Sequence, residues 1–87
     1  MITRIEVENG YYTINENLQY HSENDEPAIV VENYFEQIED SEETKEIDGY
    51  KAWYKNGQLH RENNPAVIRN CGKKFWYDMG QFIREEN

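Results

Sequence analysis

Apolar and polar residues alternate over short runs along this chain. Near the N-terminus, Ile5 and Val7 alternate with charged residues, which is the pattern of a half-buried strand. Aromatic and β-branched residues favour strands, and they form further short runs at 28–31, 53–54, 66–68 and 76–77. The pattern predicts a mainly β protein, with seven to nine short strands in sequential antiparallel pairs, a β-meander.

Turn signals separate these runs. Asn56-Gly57 stands between two strand-like segments and predicts a type I′ hairpin, because both central residues of that turn need a positive φ. Met79-Gly80 is a weaker version of the same signal. Asn17-Leu18 lacks the glycine, so we expect a different turn there. Pro65, after two asparagines, predicts the next reversal, since proline fixes φ and has no N–H to donate.

The chain contains an internal repeat. The sequence WYKNGQLHRENN at 53–64 returns as WYDMGQFIREEN at 76–87, an offset of 23 residues. An eroded copy lies 39 residues before the middle one, where Gly10, Asn17 and His21 fall on Gly49, Asn56 and His60. We therefore predict one domain over 1–87, with repeats at about 10–31, 49–69 and 72–87. The larger offset comes mostly from an insertion at about 32–48, and a surface insertion is often where a function resides.

Charge is concentrated in that insertion. The chain carries 18 acids and 9 bases, a net charge of −9, and the insertion alone holds eight acids with Lys45 as its only base. Such a stretch is either a solvated surface or a surface that binds a cationic partner, since like charges repel. On the second interpretation, the partner-binding residues are Glu32, Tyr34, Glu36, Glu39, Asp40, Glu42 and Glu43.

The structure of the insertion is ambiguous from sequence. Tyr34, Phe35 and Ile38 follow a spacing of i, i+1 and i+4, which predicts a short helix over about 33–43 with its apolar stripe on the sheet. In the alternative, the strand that starts at Ala28 runs on to Phe35 and an acidic loop follows.

Composition narrows the class of protein. With 87 residues there is room for one core, and 12 aromatic residues can fill it although only 37% of residues are apolar. The single cysteine, Cys71, excludes an intrachain disulfide and fits a reducing compartment. The first twenty residues contain no apolar run, so we expect no secretory signal. We therefore expect a cytoplasmic protein that binds neither membranes nor nucleic acid directly, and whose net charge favours a monomer.

Candidate catalytic or metal-binding residues are few. No Ser-His-Asp framework, phosphate-binding glycine loop or cysteine pair is present, and nothing places a third group beside Cys71 and His60. His21 and His60 recur at equivalent repeat positions where the third copy has Ile83, which indicates an inward-facing structural position more than a metal site. Similarly, we assign the repeated Trp-Tyr pairs to a core before a base-stacking platform. We expect no enzyme activity, cofactor or metal.

The segment WYKNGQLHRENNPAVI, followed by a glycine and a second WY, resembles short tandem repeats in small proteins of tailed phages and large DNA viruses. Those repeats are distantly similar to membrane occupation and recognition nexus (MORN) hairpins. The resemblance covers 49–87 well, 10–28 faintly and the insertion not at all. Asn64 stands where a glycine is expected before Pro65, and Asp25-Glu26 precede Pro27, so the resemblance does not extend to the turn types.

The resemblance implies a β-meander of viral origin, and small acidic phage proteins often inhibit host machinery. We therefore expect a protein that binds and inhibits a host protein with a basic surface. The target would be a nucleic-acid-handling defence factor, as for anti-CRISPR or anti-restriction proteins, blocked by nucleic-acid mimicry or sterically. The alternative is a structural or assembly module that self-associates or binds a virion component.

Overall fold

The computed structural model describes residues 2–87. These residues contain eleven β-strands, joined by turns and loops, and no helix. All pairings between the strands are antiparallel, so the predicted β-meander is confirmed. The strands are β1 (Thr3–Val7), β2 (Gly10–Ile14), β3 (Ile29–Val31), β4 (Tyr34–Gln37), β5 (Thr44–Ile47), β6 (Tyr50–Ala52), β7 (Tyr54–Lys55), β8 (Gln58–Leu59), β9 (Val67–Arg69), β10 (Lys74–Asp78) and β11 (Gln81–Glu86).

Seven of the strands form one sheet in the order β1-β2-β3-β6-β9-β10-β11. The pairs β4-β5 and β7-β8 are separate two-stranded ribbons. In the chain, the first lies between β3 and β6 and the second between β6 and β9, which are neighbouring strands of the large sheet. Over residues 2–87 there is no helix of the length and hydropathy needed to cross a membrane.

The prediction of a helix over 33–43 is wrong. Tyr34–Gln37 is strand β4, and it pairs along its whole length with β5. On a helix, Glu36, Glu39, Asp40 and Glu43 would follow one another at spacings of three and four residues, where like charges repel. The hairpin separates these side chains and still pairs the backbone groups.

The turns follow the expected chemistry. Asn56 and Gly57 have φ of 49° and 84°, and Met79 and Gly80 have φ of 48° and 87°, so both hairpins have the predicted positive φ at both central positions. At the equivalent turn of the first copy, Leu18 has a positive φ and Asn17 does not, which confirms that this turn is of another type.

Each hairpin turn contacts the preceding repeat through two hydrogen bonds. At the first joint, the N–H of Gly57 donates to the carbonyl of Tyr20 at 2.9 Å. The neighbouring N–H of Asn56 donates to Nδ1 of His21 at 3.1 Å. The histidine of one repeat therefore satisfies a turn donor of the next repeat.

The second joint has the same geometry. The N–H of Gly80 donates to the carbonyl of Leu59 at 2.8 Å, and the N–H of Met79 donates to Nδ1 of His60 at 3.1 Å. His60 is largely buried, as a structural position would be. The equivalent Ile83 is 58% exposed, so the expectation that this position faces inward fails in the last repeat.

The core is small because the sheet forms a single layer. Among the described residues, the buried apolar side chains are Ala28, Ala52, Trp53 and Ala66. Trp53 donates its Nε1–H to the carbonyl of Asp25 at 2.9 Å, and the guanidinium of Arg61 lies 3.8 Å from its ring centroid. In the last repeat Arg84 lies over the equivalent Trp76 at 4.4 Å, so the two tryptophans have related environments.

Candidate functional site

Strands β4 and β5 continue the ladder that β3 and β6 begin in the large sheet. No residue is gained or lost on either side between the two ladders, as the register shows: Ile29 with Ala52, Val31 with Tyr50, Tyr34 with Ile47 and Gln37 with Thr44. The insertion at 32–48 is therefore a hairpin that extends two adjacent sheet strands. We call these residues, 32–48, the acidic arm.

Hydrogen bonds at Asn33 fix the base of the acidic arm. Its Oδ1 accepts the N–H of Gly49 at 2.7 Å and the Nδ2–H of Asn70 at 2.8 Å, which links the arm to the turn between β9 and β10. Gly49 packs so closely that a β-carbon there would overlap the carbonyl oxygen of Val31. The arm thus starts from a close-packed base.

The hairpin register distributes the predicted residues between one side of the arm and its tip. Paired residues of antiparallel strands share a side, so Glu36 lies on the same side as Lys45, and Tyr34 on the same side as Ile47. The backbone bond from Ile38 to Glu43 at 3.0 Å continues this ladder by one pair. The structure therefore brings four predicted residues to one side, namely Glu32, Tyr34, Glu36 and Glu43, and three to the tip, namely Glu39, Asp40 and Glu42.

Ser41 organises the tip. The N–H of Ser41 donates to the carbonyl of Ile38 at 3.1 Å, and its Oγ accepts the N–H of Glu43 at 3.0 Å. The Nε2–H of Gln37 donates to the carbonyl of Ser41 at 3.0 Å. Asp40 takes a φ of 62°, a conformation that aspartate tolerates better than most residues. The acidic tip is thus a hydrogen-bonded turn.

Among residues 2–87, no carboxylate of the acidic arm forms an ion pair. Every one of the predicted acidic residues is exposed, while Tyr34 is half-buried. Over 2–87, the ion pairs and histidine–carboxylate contacts lie outside the arm: Arg4 with Glu6, Arg61 with Asp25, His60 with Glu62 and Asp78, and Arg84 with Glu86. The basic C-terminal half therefore leaves the arm un-neutralised.

Sequence reasoning missed two residues of the arm. Phe35 is 70% exposed and shares the other side of the hairpin with Glu46, and Asn33 fixes the base. The signal that was present is the pair of strand-favouring residues Tyr34 and Phe35, with Thr44 and Ile47 in the facing segment.

A groove of about 340 Å³ is a second candidate, and it lies beside Trp53, with His21, Asp25, His60 and Arg61 in its lining. Two of its charged side chains, Asp25 and Arg61, are paired with each other. Arg61 holds both carboxylate oxygens of Asp25, through Nε at 2.9 Å and NH2 at 3.1 Å. This hydrogen bond, more than the charge attraction, lowers the pKa of Asp25, and partial burial opposes it. In the groove, this pair therefore links the segment around Asp25 to the segment around Arg61.

Reactive and metal-binding chemistry has little support in the part of the chain that is described. Cys71 is exposed in the turn between β9 and β10. No three His, Cys, Asp or Glu side chains of residues 2–87 are grouped so that they could hold a metal ion. The acidic arm is therefore the stronger candidate site.

Comparison with protein-family models, with curated proteins and with solved structures gives no match to this chain.

Proposed function

We propose that this protein binds a host protein through the acidic arm and thereby inhibits it. The single observation that carries the proposal is that a projecting hairpin bears eight carboxylates, none of which is in an ion pair with another described residue. The contact residues are Glu32, Tyr34, Glu36, Glu39, Asp40, Glu42 and Glu43.

The chemistry of the arm selects a basic partner. A strongly negative surface attracts a positive one over a distance, which speeds association and rejects partners of like charge. Proteins that handle nucleic acids present such basic channels for phosphates. The target we propose is therefore a nucleic-acid-handling defence factor in the host cytoplasm, as for anti-CRISPR or anti-restriction inhibitors.

Binding, and not catalysis, is the activity we propose. The arm offers carboxylates and one tyrosine on a hairpin side without a cleft around them. The chain itself is a poor ligand for nucleic acid, because its own net charge of −9 repels phosphates.

Two matched variants test the arm at equal net charge. The arm variant is Glu39→Gln, Asp40→Asn, Glu42→Gln and Glu43→Gln. The control neutralises four exposed carboxylates elsewhere, with Glu8→Gln, Glu23→Gln, Glu26→Gln and Glu85→Gln. Each immobilised protein is used to capture partners from host lysate at low and high salt, and the affinity for the main captured protein is then measured.

We expect the arm variant to bind about thirtyfold more weakly, since four surface ion pairs are lost at about 0.5 kcal/mol each. The control should bind almost as well as the native chain, and salt should weaken the native complex. Equal losses in both variants would point to net charge and not to the arm. Unchanged binding of the arm variant would remove the arm as the site.

The same variants separate the two routes of inhibition. If carboxylates imitate phosphates, the arm variant loses both binding and inhibition of nucleic-acid binding by the target. If the protein blocks its target sterically, the arm variant still inhibits once its concentration compensates for the weaker binding, and Tyr34→Ala on the arm side removes inhibition instead.

A further inference from the structure

One side of the seven-stranded sheet is apolar. Residues in register on neighbouring antiparallel strands share a side, and one such row crosses the sheet from β1 to β10: Ile5, Tyr12, Ile29, Ala52, Val67 and Phe75. Charged residues occupy only two strand positions on this side among those described, Arg69 and Glu85. We call it the apolar sheet side.

Aromatic rings extend this surface across the hairpin ends of the repeats. The ring centroids of Tyr12 and Tyr20 are 5.8 Å apart, and those of Tyr20 and Tyr54 are 5.2 Å apart. In the last repeat, Tyr77 and Phe82 are 5.5 Å apart. Successive repeats thus add aromatic side chains to one continuous surface.

No other element of the described chain covers the apolar sheet side. Ala52 is its one fully buried residue, whereas Tyr20 is 40% and Phe82 52% exposed. The opposite side differs, because Arg61 and the carbonyl of Asp25 cover Trp53 there. A sheet with one apolar side is normally buried against a second layer, and this molecule lacks that layer.

The uncovered area reaches the lower limit of a specific interface. The accessible surface is 6264 Å², whereas a compact chain of 10.5 kDa has about 5,400 Å². The projecting arm and the bare sheet side share this surplus of roughly 800 Å². The seven strands are three to six residues long. At about 3.4 Å per residue and about 4.8 Å between strands, they give the sheet side a footprint of roughly 500 Å² before corrugation. Two such sides bury about 1,000 Å² in total, which is about the minimum for a specific interface, and the aromatic rings at the hairpin ends add to it.

We propose that a second copy of this chain covers the apolar sheet side, so that two sheets pack face to face around a two-fold axis. Sheets stack at about 10 Å with interdigitating side chains, and a two-fold axis brings the same surface of both copies together. A basic partner fits the arm and not this side, which offers almost no charge.

The net charge of the chain opposes this dimer less than its value suggests, because the excess charge lies away from the apolar sheet side. A net charge of −9 favours a monomer when only the sequence is known. However, the strands of the apolar sheet side contribute one arginine and one glutamate, and the excess acids lie on the arm and elsewhere. The repulsion is therefore left to solvated charges, which salt screens.

Sedimentation velocity on the full chain tests the proposal. We expect a species of twice 10.5 kDa that persists in about 1 M salt. Tyr20→Lys with Phe82→Lys should weaken the dimer by at least about tenfold for each buried lysine and leave a folded monomer by circular dichroism. The control, Ile38→Lys, replaces an exposed apolar residue of the arm and should leave the dimer unchanged.

A second measurement uses the native chain alone. A spin label on the exposed Cys71, the one cysteine, should give a single narrow distance between the two copies of a two-fold dimer. A native chain that stays monomeric at about 1 mM would overturn the proposal, even if another protein covered this side. So would a dimer that the Tyr20 and Phe82 substitutions do not weaken.

The outcome is independent of the proposed function. Neutralising the tip of the arm should leave the dimer intact, whereas lysines on the sheet side should leave salt-sensitive capture of a basic protein intact.

Discussion

The Nδ1 atom of His21 accepts the backbone N–H of Asn56 at 3.1 Å, across the boundary between two repeats. His60 and Met79 form the same bond one repeat later, at the same distance. Two copies of one contact show that these histidines join successive hairpins. Ile83, at the equivalent position of the last repeat, has no side-chain nitrogen that could accept such a hydrogen bond.

Replacement of His60 by alanine should lower the free energy of unfolding by about 1 kcal/mol, the net value of one such hydrogen bond. His21→Ala should cost a similar amount. Ile83→Ala is the matched control, and it should cost little because the side chain is exposed. Urea unfolding measures all three, and a control as costly as His60→Ala would show that the joint contributes nothing special.

The pair of Asp25 and Arg61 should make stability depend on pH in acid. Because the guanidinium lowers the pKa of Asp25, this carboxylate stabilises the fold at pH values above its ordinary pKa of about 3.9. The contribution is lost as pH falls through the lower pKa of the folded protein. Asp25→Asn should flatten the acid limb of the melting temperature against pH, and Asp40→Asn, on the unpaired tip, should not. Parallel profiles for native chain and Asp25→Asn would contradict this.

Tyr54 should ionise later than an ordinary tyrosine. Burial raises its pKa, and the neighbouring Tyr50, Tyr20 and Tyr77 raise it further. The neutral form therefore stabilises the fold fully below pH of about 10, and this contribution disappears as pH rises through the raised pKa. Absorbance of tyrosinate follows the titration. Tyr54→Phe should remove the latest-ionising group, whereas Tyr34→Phe should leave it in place.

Gly49→Ala should loosen the base of the acidic arm. The added β-carbon would meet the carbonyl of Val31, a backbone atom that cannot turn away. We expect a loss of about 1–3 kcal/mol in the free energy of unfolding, the usual cost of overpacking. Hydrogen exchange should also accelerate at the backbone N–H of residue 49, which donates to Oδ1 of Asn33 in the native chain. Thr44→Ala, on the exposed part of the arm, should change neither quantity.

Local chemistry explains why much of the fold was predictable. Gly57 and Gly80 allow a positive φ because glycine lacks a β-carbon, and Asn56 tolerates one, so these residues predict the two hairpins locally. The arm was not predictable in the same way. Tyr34, Phe35 and Ile38 fit a helical stripe as well as a strand, and what decides between them is pairing with residues about ten positions away.

The contacts between repeats could not be predicted from the sequence for a different reason. His21 was recognised as structural from its recurrence at His60, yet its partner, the N–H of Asn56, is a backbone group that no side-chain pattern reveals. Similarly, the period-two alternation around Ile5 indicates that one side is apolar. It does not show whether any other part of the chain covers that side.

The unbroken register between the sheet and the acidic arm makes the length of the arm adjustable. Lengthening both strands by equal steps would move the charged tip outward without rotating any side chain of the sheet beneath it. The turn from Asn70 to Gly72 joins β9 to β10 at the equivalent place in the next repeat. A second hairpin like the acidic arm could be inserted there, so that one scaffold would carry two recognition hairpins side by side.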